Sequence, residues 1–141
     1  IYIISKFKDI KRVFQYHGAE HKAVNCYENE KQVTVEKAKK YSTLHKRCGT
    51  SFILFVLLLS VVVYLFIPVN ISFLQKSLLR ILLLPLIAGI SYEIIKLSAK
   101  YDNKFLNMLV MPGMMVQKIT TNEPDDEQLE VAVYSLNESI S

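Results

Sequence analysis

The chain has 141 residues, with 17 Lys and Arg against 13 Asp and Glu, a net charge of +4, and a hydrophobic fraction of 51%. With only 4 Gly and 4 Pro, a disordered, collagenous or low-complexity chain is excluded. Two cysteines, Cys26 and Cys48, exclude a disulfide framework.

The chain starts Ile-Tyr-Ile-Ile without Met and then turns basic. A signal peptide has the opposite order, so this stretch reads as the tail of an earlier hydrophobic span. On that reading the chain is the C-terminal part of a longer protein. Residues 11–28 fit a helix. Residues 34–46 fit a second, with Thr34 as N-cap and Glu36 and Lys40 as an i,i+4 pair. Gly49 is expected to break the chain ahead of the first apolar run.

Residues 51–67, SFILFVLLLSVVVYLFI, are seventeen residues without a charge, about 26 Å as a helix against a hydrocarbon core of ~30 Å. Residues 78–97, LLRILLLPLIAGISYEIIKL, are twenty, about 30 Å by the same rise. Arg80, Glu93 and Lys96 lie toward the ends of that run. The linker, 68–77, is too short for a domain. The expected fold is an all-α integral membrane protein built on a two-span transmembrane hairpin. The competing reading is two buried helices of a soluble bundle, and a run apolar all round argues against it. Three segments follow: a cytoplasmic juxtamembrane helical segment (1–50), the hairpin (51–98), and a cytoplasmic interfacial segment with an amphipathic C-terminal helix (99–141).

Residues 1–48 carry eleven Lys and Arg, the linker carries Lys76, and Lys96, Lys100 and Lys104 follow the second run. By the positive-inside rule both ends of the chain are cytoplasmic. Reduced thiols at Cys26 and Cys48 suit that compartment. Residues 105–119, FLNMLVMPGMMVQKI, are apolar but carry Pro112-Gly113, which predicts an interrupted interfacial or re-entrant segment. In the last helix Pro124 suits the first helical position, and Asp125, Asp126 and Glu127 the first turn. Leu129, Ala132, Val133, Leu136 and Ile140 form its apolar face.

All three histidines fall between residues 17 and 45. His17-Gly18-Ala19-Glu20-His21 is an H-x-x-E-H pattern, the zincin motif reversed. On a helix its histidines share a face, with Cβ atoms about 5–6 Å apart, a spacing at which two imidazoles hold one Zn²⁺-like ion. Glu20 on that face suits a general base. A solvated face with two chance histidines is the plain alternative. The hairpin topology adds His45 and Cys48, just before the first run, and Glu93, near the cytoplasmic end of the second. Glu93 as third ligand gives a His₂Glu site with an open position, and His45 gives His₃. His17, His21, His45 and Cys48 together give a closed structural site. Glu93 paired with Lys96 at i+3 is the competing reading for that carboxylate. Cys26 reads as a packed thiol. The basic residues at the membrane face suit anionic headgroups or simply the positive-inside bias. No aromatic-basic module points to nucleic acid.

KRVFQYHGAEHKAVNCYE, LHKRCGTSFILF, PLIAGISYEIIKL and MPGMMVQKITTNEPDDEQLEVAV, in that order, resemble the YqhQ family of bacterial membrane proteins. The resemblance runs from about residue 8 to 138. It implies a multi-pass protein of the bacterial cell membrane, metal-dependent but of unknown reaction, whose N-terminal portion precedes this chain. His17, Glu20, His21, His45 and Cys48 stand where the family's motif residues stand. Glu93 and residues 120–126, with Asp125 and Asp126, gain weight from the resemblance. Met114-Met115 stands where the family shows an aromatic-rich stretch.

The expected function is a metal-dependent hydrolase acting at the cytoplasmic face on a lipid-linked or membrane peptide substrate. His17 and His21 would bind the ion, with Glu93 or His45 as third ligand and Glu20 as base; Zn is the first expectation, Mn or Fe the others. The alternative is a non-enzymatic membrane scaffold or assembly factor with a structural His/Cys metal site. Expected partners are membrane lipids, the N-terminal portion of the same protein and, as a further option, a second copy, with no nucleic acid.

Overall fold

The computed structural model describes residues 5, 7–101 and 103–140; residues 1–4, read above as the tail of a span, lie outside them. Among the described residues six helices follow in order: α1 (Lys8–Glu30), α2 (Val35–Ala38), α3 (Gly49–Tyr64), α4 (Phe73–Lys100), α5 (Lys104–Thr120) and α6 (Asp126–Ile140). Among the described residues there is no strand. The chain divides into two compact units, Ile1–His45 with Met114–Ser141, and Lys46–Gly113.

In the first unit α1 packs on α6 through small residues. Ala19, Ala23 and Cys26 on α1 meet Leu129 and Val133 on α6, with Val33 and Ala38 closing the cluster. Alanine at successive turns lets the two backbones approach. Cys26 is the packed thiol its position implies, and burial pushes its pKa up. The helix ends at Lys31, whose left-handed backbone (φ 58°) returns its N–H to the Tyr27 carbonyl.

The second helix is much shorter than its sequence pattern. Thr34 does cap it, accepting from the Lys37 N–H, but α2 stops at Ala38. The physical reason lies in the carbonyls of residues 39–45. Lys22 donates to those of Lys39 and Tyr41, Asn25 to those of Ser42 and Leu44, and His21 and Gln117 meet those of Thr43 and His45. A helix would have claimed the same acceptors for its own N–H groups, so tertiary donors hold this stretch open as an irregular strap. Lys37, rather than Lys40, carries an ion pair of this turn, to Glu30 at 3.0 Å. The Lys37 ammonium and the Tyr41 hydroxyl both bond Glu30 and hold its carboxyl below the ordinary carboxylate range.

The last helix starts at Asp126, two positions after the Pro124 start expected from the sequence. Asp125 is its cap: its Oδ1 accepts from the Gln128 N–H at 2.8 Å, and Gln128 Oε1 accepts from the Asp125 N–H at 3.1 Å. Pro124 therefore precedes the cap instead of opening the helix. Leu129 and Val133 are buried, whereas Ile140 is exposed.

Helix α5 runs unbroken through Pro112-Gly113, contrary to the expected interruption. Gly113 marks a close approach: a Cβ there would lie 2.7 Å from the Ser51 Cβ. The missing side chain admits α3 at that point, so the glycine serves packing and not chain reversal.

In the second unit α3 packs on α4. The buried positions are Ser51 and Ser60 on α3 and Ile87, Ser91, Ile95 and Ser98 on α4. Ser91 and Ser98 donate to the carbonyls of Ile87 and Ile95, so their hydroxyls are satisfied inside the helix. Large apolar residues face outward instead, among them Leu57, Val61, Ile81, Leu82, Leu86 and Ile90. Four serines and two isoleucines thus fill the α3–α4 contact, while the leucines face outward. A Ser72–Gln75 capping box starts α4 at Phe73, several residues before the apolar run that marks it in the sequence.

Among the described residues one helix, α4, is long and apolar enough to cross a membrane. Only 17% of its most apolar stretch is buried, where a soluble core helix would be mostly buried. Helix α3 has 16 residues, about 24 Å, and falls short of that length.

Candidate metal centre

Helix α1 places His17 and His21 one turn apart, their ring centroids 4.4 Å from each other and their planes at 65°. Both rings are held by backbone carbonyls. His17 Nδ1 lies 2.9 Å from the Thr120 oxygen, and His21 Nδ1 lies 2.6 Å from the Thr43 oxygen. A carbonyl only accepts, so Nδ1 carries the hydrogen in each ring, and in the neutral imidazole the lone pair is then on Nε2. Metal-binding histidines are oriented in this way, with the far nitrogen anchored to an oxygen.

The strap brings in the third histidine. His45 lies with its centroid 5.8 Å from that of His21, and its Nε2 is 3.3 Å from Glu28 Oε2. Gln117 on α5 fixes its backbone, accepting from the His45 N–H at 2.9 Å and donating to the His45 carbonyl at 2.8 Å. Gln117 is fully buried, so this paired hydrogen bond leaves it little freedom.

Two further α1 residues hold the strap against the histidines. Lys22 has a side chain only 8% exposed, and its ammonium meets Glu123 Oε2 at 3.0 Å. It also donates to the carbonyls of Lys39 at 3.1 Å and Tyr41 at 2.9 Å. Its three donors thus have three acceptors, which makes a buried ammonium tolerable. Asn25 divides its amide between Ser42 and Leu44.

Gly18, inside the H-x-x-E-H pattern, has a packing role. A Cβ on it would collide with the Asn122 carbonyl and crowd the Thr43 methyl at 3.3 Å. The segment leaving α5 crosses α1 here, pinned by the Asn122 N–H to the Phe14 carbonyl at 2.9 Å. That crossing puts the Thr120 oxygen against His17.

The donor set fits a divalent ion. Two imidazoles binding one ion through Nε2 at ~2.0–2.1 Å would have ring centroids on the order of 4.5–5.5 Å apart; His17 and His21, at 4.4 Å, lie at the lower edge of that range, and His21 and His45, at 5.8 Å, just beyond its upper edge. Glu28 beside His45 supplies either an oxygen donor or an orienting carboxylate.

The other sequence-derived candidates have their own surroundings. Glu20 is exposed and lines an open groove of about 400 Å³ against α6, together with Tyr16, Val24, Val131 and Leu136. Glu93 belongs to the second unit, is exposed, and pairs with Lys96 at 3.5 Å. Cys48 is buried at the start of α3, its Sγ 3.0 Å from Thr50 Oγ1. Asp125 caps α6, and Asp126 accepts from Lys39 at 2.8 Å. The structure therefore gathers His17, His21 and His45 and gives Asp125 and Asp126 structural contacts.

Sequence reasoning missed Lys22, Asn25 and Gln117. Their signal was present: Lys22 sits between the small apolar Ala19 and Ala23, and Gln117 interrupts an apolar run. A long polar side chain in such a setting is buried and needs partners.

The family model described as "Protein of unknown function (DUF1385)" matches residues 1–141. The Uncharacterized protein YqhQ of Bacillus subtilis (strain 168) is 48% identical over 139 residues, covering 98% of this chain and 43% of that protein. The chain thus spans less than half the length of this relative. No solved structure matches it. Matched from its first residue to its last by the family model and almost as completely by YqhQ, the chain belongs to the DUF1385 family of YqhQ-like proteins.

Proposed function

We propose that this chain carries the metal site of a membrane-bound hydrolase acting at the cytoplasmic face on a lipid-linked or membrane peptide substrate. One observation carries the reading: two histidines one turn apart on α1 meet a third from the strap, and the α1 pair have Nδ1 anchored to carbonyls. His17 and His21 would hold the ion through Nε2. His45 is preferred to Glu93 as third ligand, because its ring already lies beside His21 whereas Glu93 is paired with Lys96. Zn fits imidazole donors best, with Mn or Fe as alternatives. The ion would supply Lewis-acid polarisation of a carbonyl or phosphoryl oxygen. Glu20 is assigned the general-base role from its place in the H-x-x-E-H pattern, although its side chain lines the groove against α6.

The outward-facing leucines of α3 and α4 support the membrane setting. Helix α4 crosses the bilayer, and residues 51–67 form the second span by continuing α3 through its last apolar turn. Both ends of the chain then lie in the cytoplasm with Lys96, Lys100 and Lys104.

Glu20→Gln separates the base role from the ligand role. The variant is expected to keep its metal and lose about 10²–10⁴-fold in turnover, measured as hydrolysis of membrane peptides and lipid-linked substrates alongside elemental analysis. Intact metal and intact turnover together would rule Glu20 out as base.

The burial of Cys48, three residues after His45, favours a second reading, a closed His/Cys site that staples a non-enzymatic scaffold. On that reading Cys48→Ser releases the metal and lowers the melting temperature. On the hydrolase reading it keeps the metal, so elemental analysis of this variant chooses between the two.

A further inference from the structure

We propose that the second unit holds a binding site for the phosphate headgroup of an anionic phospholipid, separate from the histidine centre. A cavity of about 280 Å³ lies between the start of α3 and the last turns of α4, lined by Arg47, Gly49, Phe52, Tyr92, Ile95 and Lys96. Its chemistry has two parts. Arg47 and Lys96 supply positive charge at the rim, and Phe52, Tyr92 and Ile95 form an apolar wall along the helices. A phosphate with acyl chains attached matches both parts at once; a free phosphate uses only the first.

Three further features favour an anion with a lipid tail. In sequence this end of the unit carries Lys46, Arg47, Lys96, Lys100 and Lys104 against Glu93 and Asp102. Glu93 lies beside Lys96 at 3.5 Å and lowers the local excess without cancelling it. Lys46 is turned inward, donating to the Ser98 carbonyl at 3.3 Å and to Asn107 Oδ1 at 3.0 Å, so Arg47 and Lys96 are the cations on the cavity wall. The Lys96 ammonium rests 5.8 Å from the centre of the Tyr92 ring, an arrangement that directs its charge along the wall. At Gly49 nothing lies within 4 Å of the place a Cβ would take, so this part of the cavity wall is open. The outward leucines of α3 and α4 then place the acyl chains in lipid.

The site is independent of the metal reading and rests only on α3 and α4 lying in a bilayer. The test uses the full chain in nanodiscs of phosphatidylcholine alone or with added phosphatidylglycerol, with retained lipid counted by native mass spectrometry. The expected result is about a tenfold preference for phosphatidylglycerol, at roughly one headgroup interaction per cation. It should fall to no preference in Arg47→Gln/Lys96→Gln, fall partly in Lys96→Gln, and persist in Lys76→Gln at the other end of the hairpin. Equal retention of both lipids overturns the proposal, and so does equal loss in Lys76→Gln, which would mean diffuse charge attraction. Displacement of the retained lipid by inorganic phosphate would mean a soluble anion site instead, and would equally overturn it. Flotation with phosphatidylcholine vesicles separates the premise from the site: a chain that fails to float loses the membrane reading itself, and this site with it.

Discussion

A chain carrying both His17→Ala and His21→Ala is expected to go from about one bound divalent ion to none. The comparison is elemental mass spectrometry on the protein purified in detergent, before and after reloading with Zn or Mn. The size of the effect follows from the donor set: removing two of three imidazoles leaves His45 alone, and a single imidazole does not hold an ion against water and buffer. The two substitutions also remove the donors to the Thr120 and Thr43 carbonyls. Leaving those acceptors unpaired would cost about 1–3 kcal/mol each where they are buried, so the double variant should also melt earlier. Chelator-treated wild-type chain separates the contributions, because it loses the ion while keeping both hydrogen bonds. Wild-type protein that stays metal-free after reloading would remove the centre, and the histidines would stand as structural clamps on the strap and on the end of α5.

Gly18→Ala is expected to destabilise the first unit strongly, against the direction that helix propensity gives. Glycine inside a helix is about 1 kcal/mol worse than alanine, so on local grounds the change should stabilise α1. The contact reverses the sign. The new Cβ would meet the Asn122 carbonyl, a backbone atom held by the Asn122 N–H on Phe14, with the Thr43 methyl closing the other side at 3.3 Å. Overpacking of this kind typically costs 1–3 kcal/mol, and a clash with backbone belongs at the upper end. Because the 120–123 segment must move away, the Thr120 oxygen withdraws from His17 and metal affinity falls as well. Thermal melting and metal titration of the purified variant check both effects. An unchanged or raised melting temperature would show that the segment does not cross α1 at Gly18.

These two expectations differ in how far they depend on the tertiary structure. His17 and His21 are legible in the sequence, since helical periodicity alone sets two residues at i and i+4 on one face. Nothing in the H-x-x-E-H pattern reveals why its second position is glycine. That reason is a chain crossing between residues more than a hundred positions apart.

Composition and periodicity determined the helical class, the apolar character of α3 and α4, the pair of histidines on α1, the Thr34 cap and the packed state of Cys26. These are local or statistical properties: a helix face repeats every few residues, and a long apolar run has few alternatives to burial or lipid. The tertiary structure alone decided where backbone hydrogen bonds go when helices and side chains compete for them. The pattern of 34–46 suits a helix, yet Lys22, Asn25, His21 and Gln117 take the carbonyls of the strap and stop α2 at Ala38. Pro112-Gly113 suits a break, yet Gly113 fits against Ser51 and α5 continues. His45 reached the centre for the same reason, because the donors that opened the strap also set its register. Hydrogen-bond competition and close approach are decided by partners remote in sequence, which no single-chain periodicity contains.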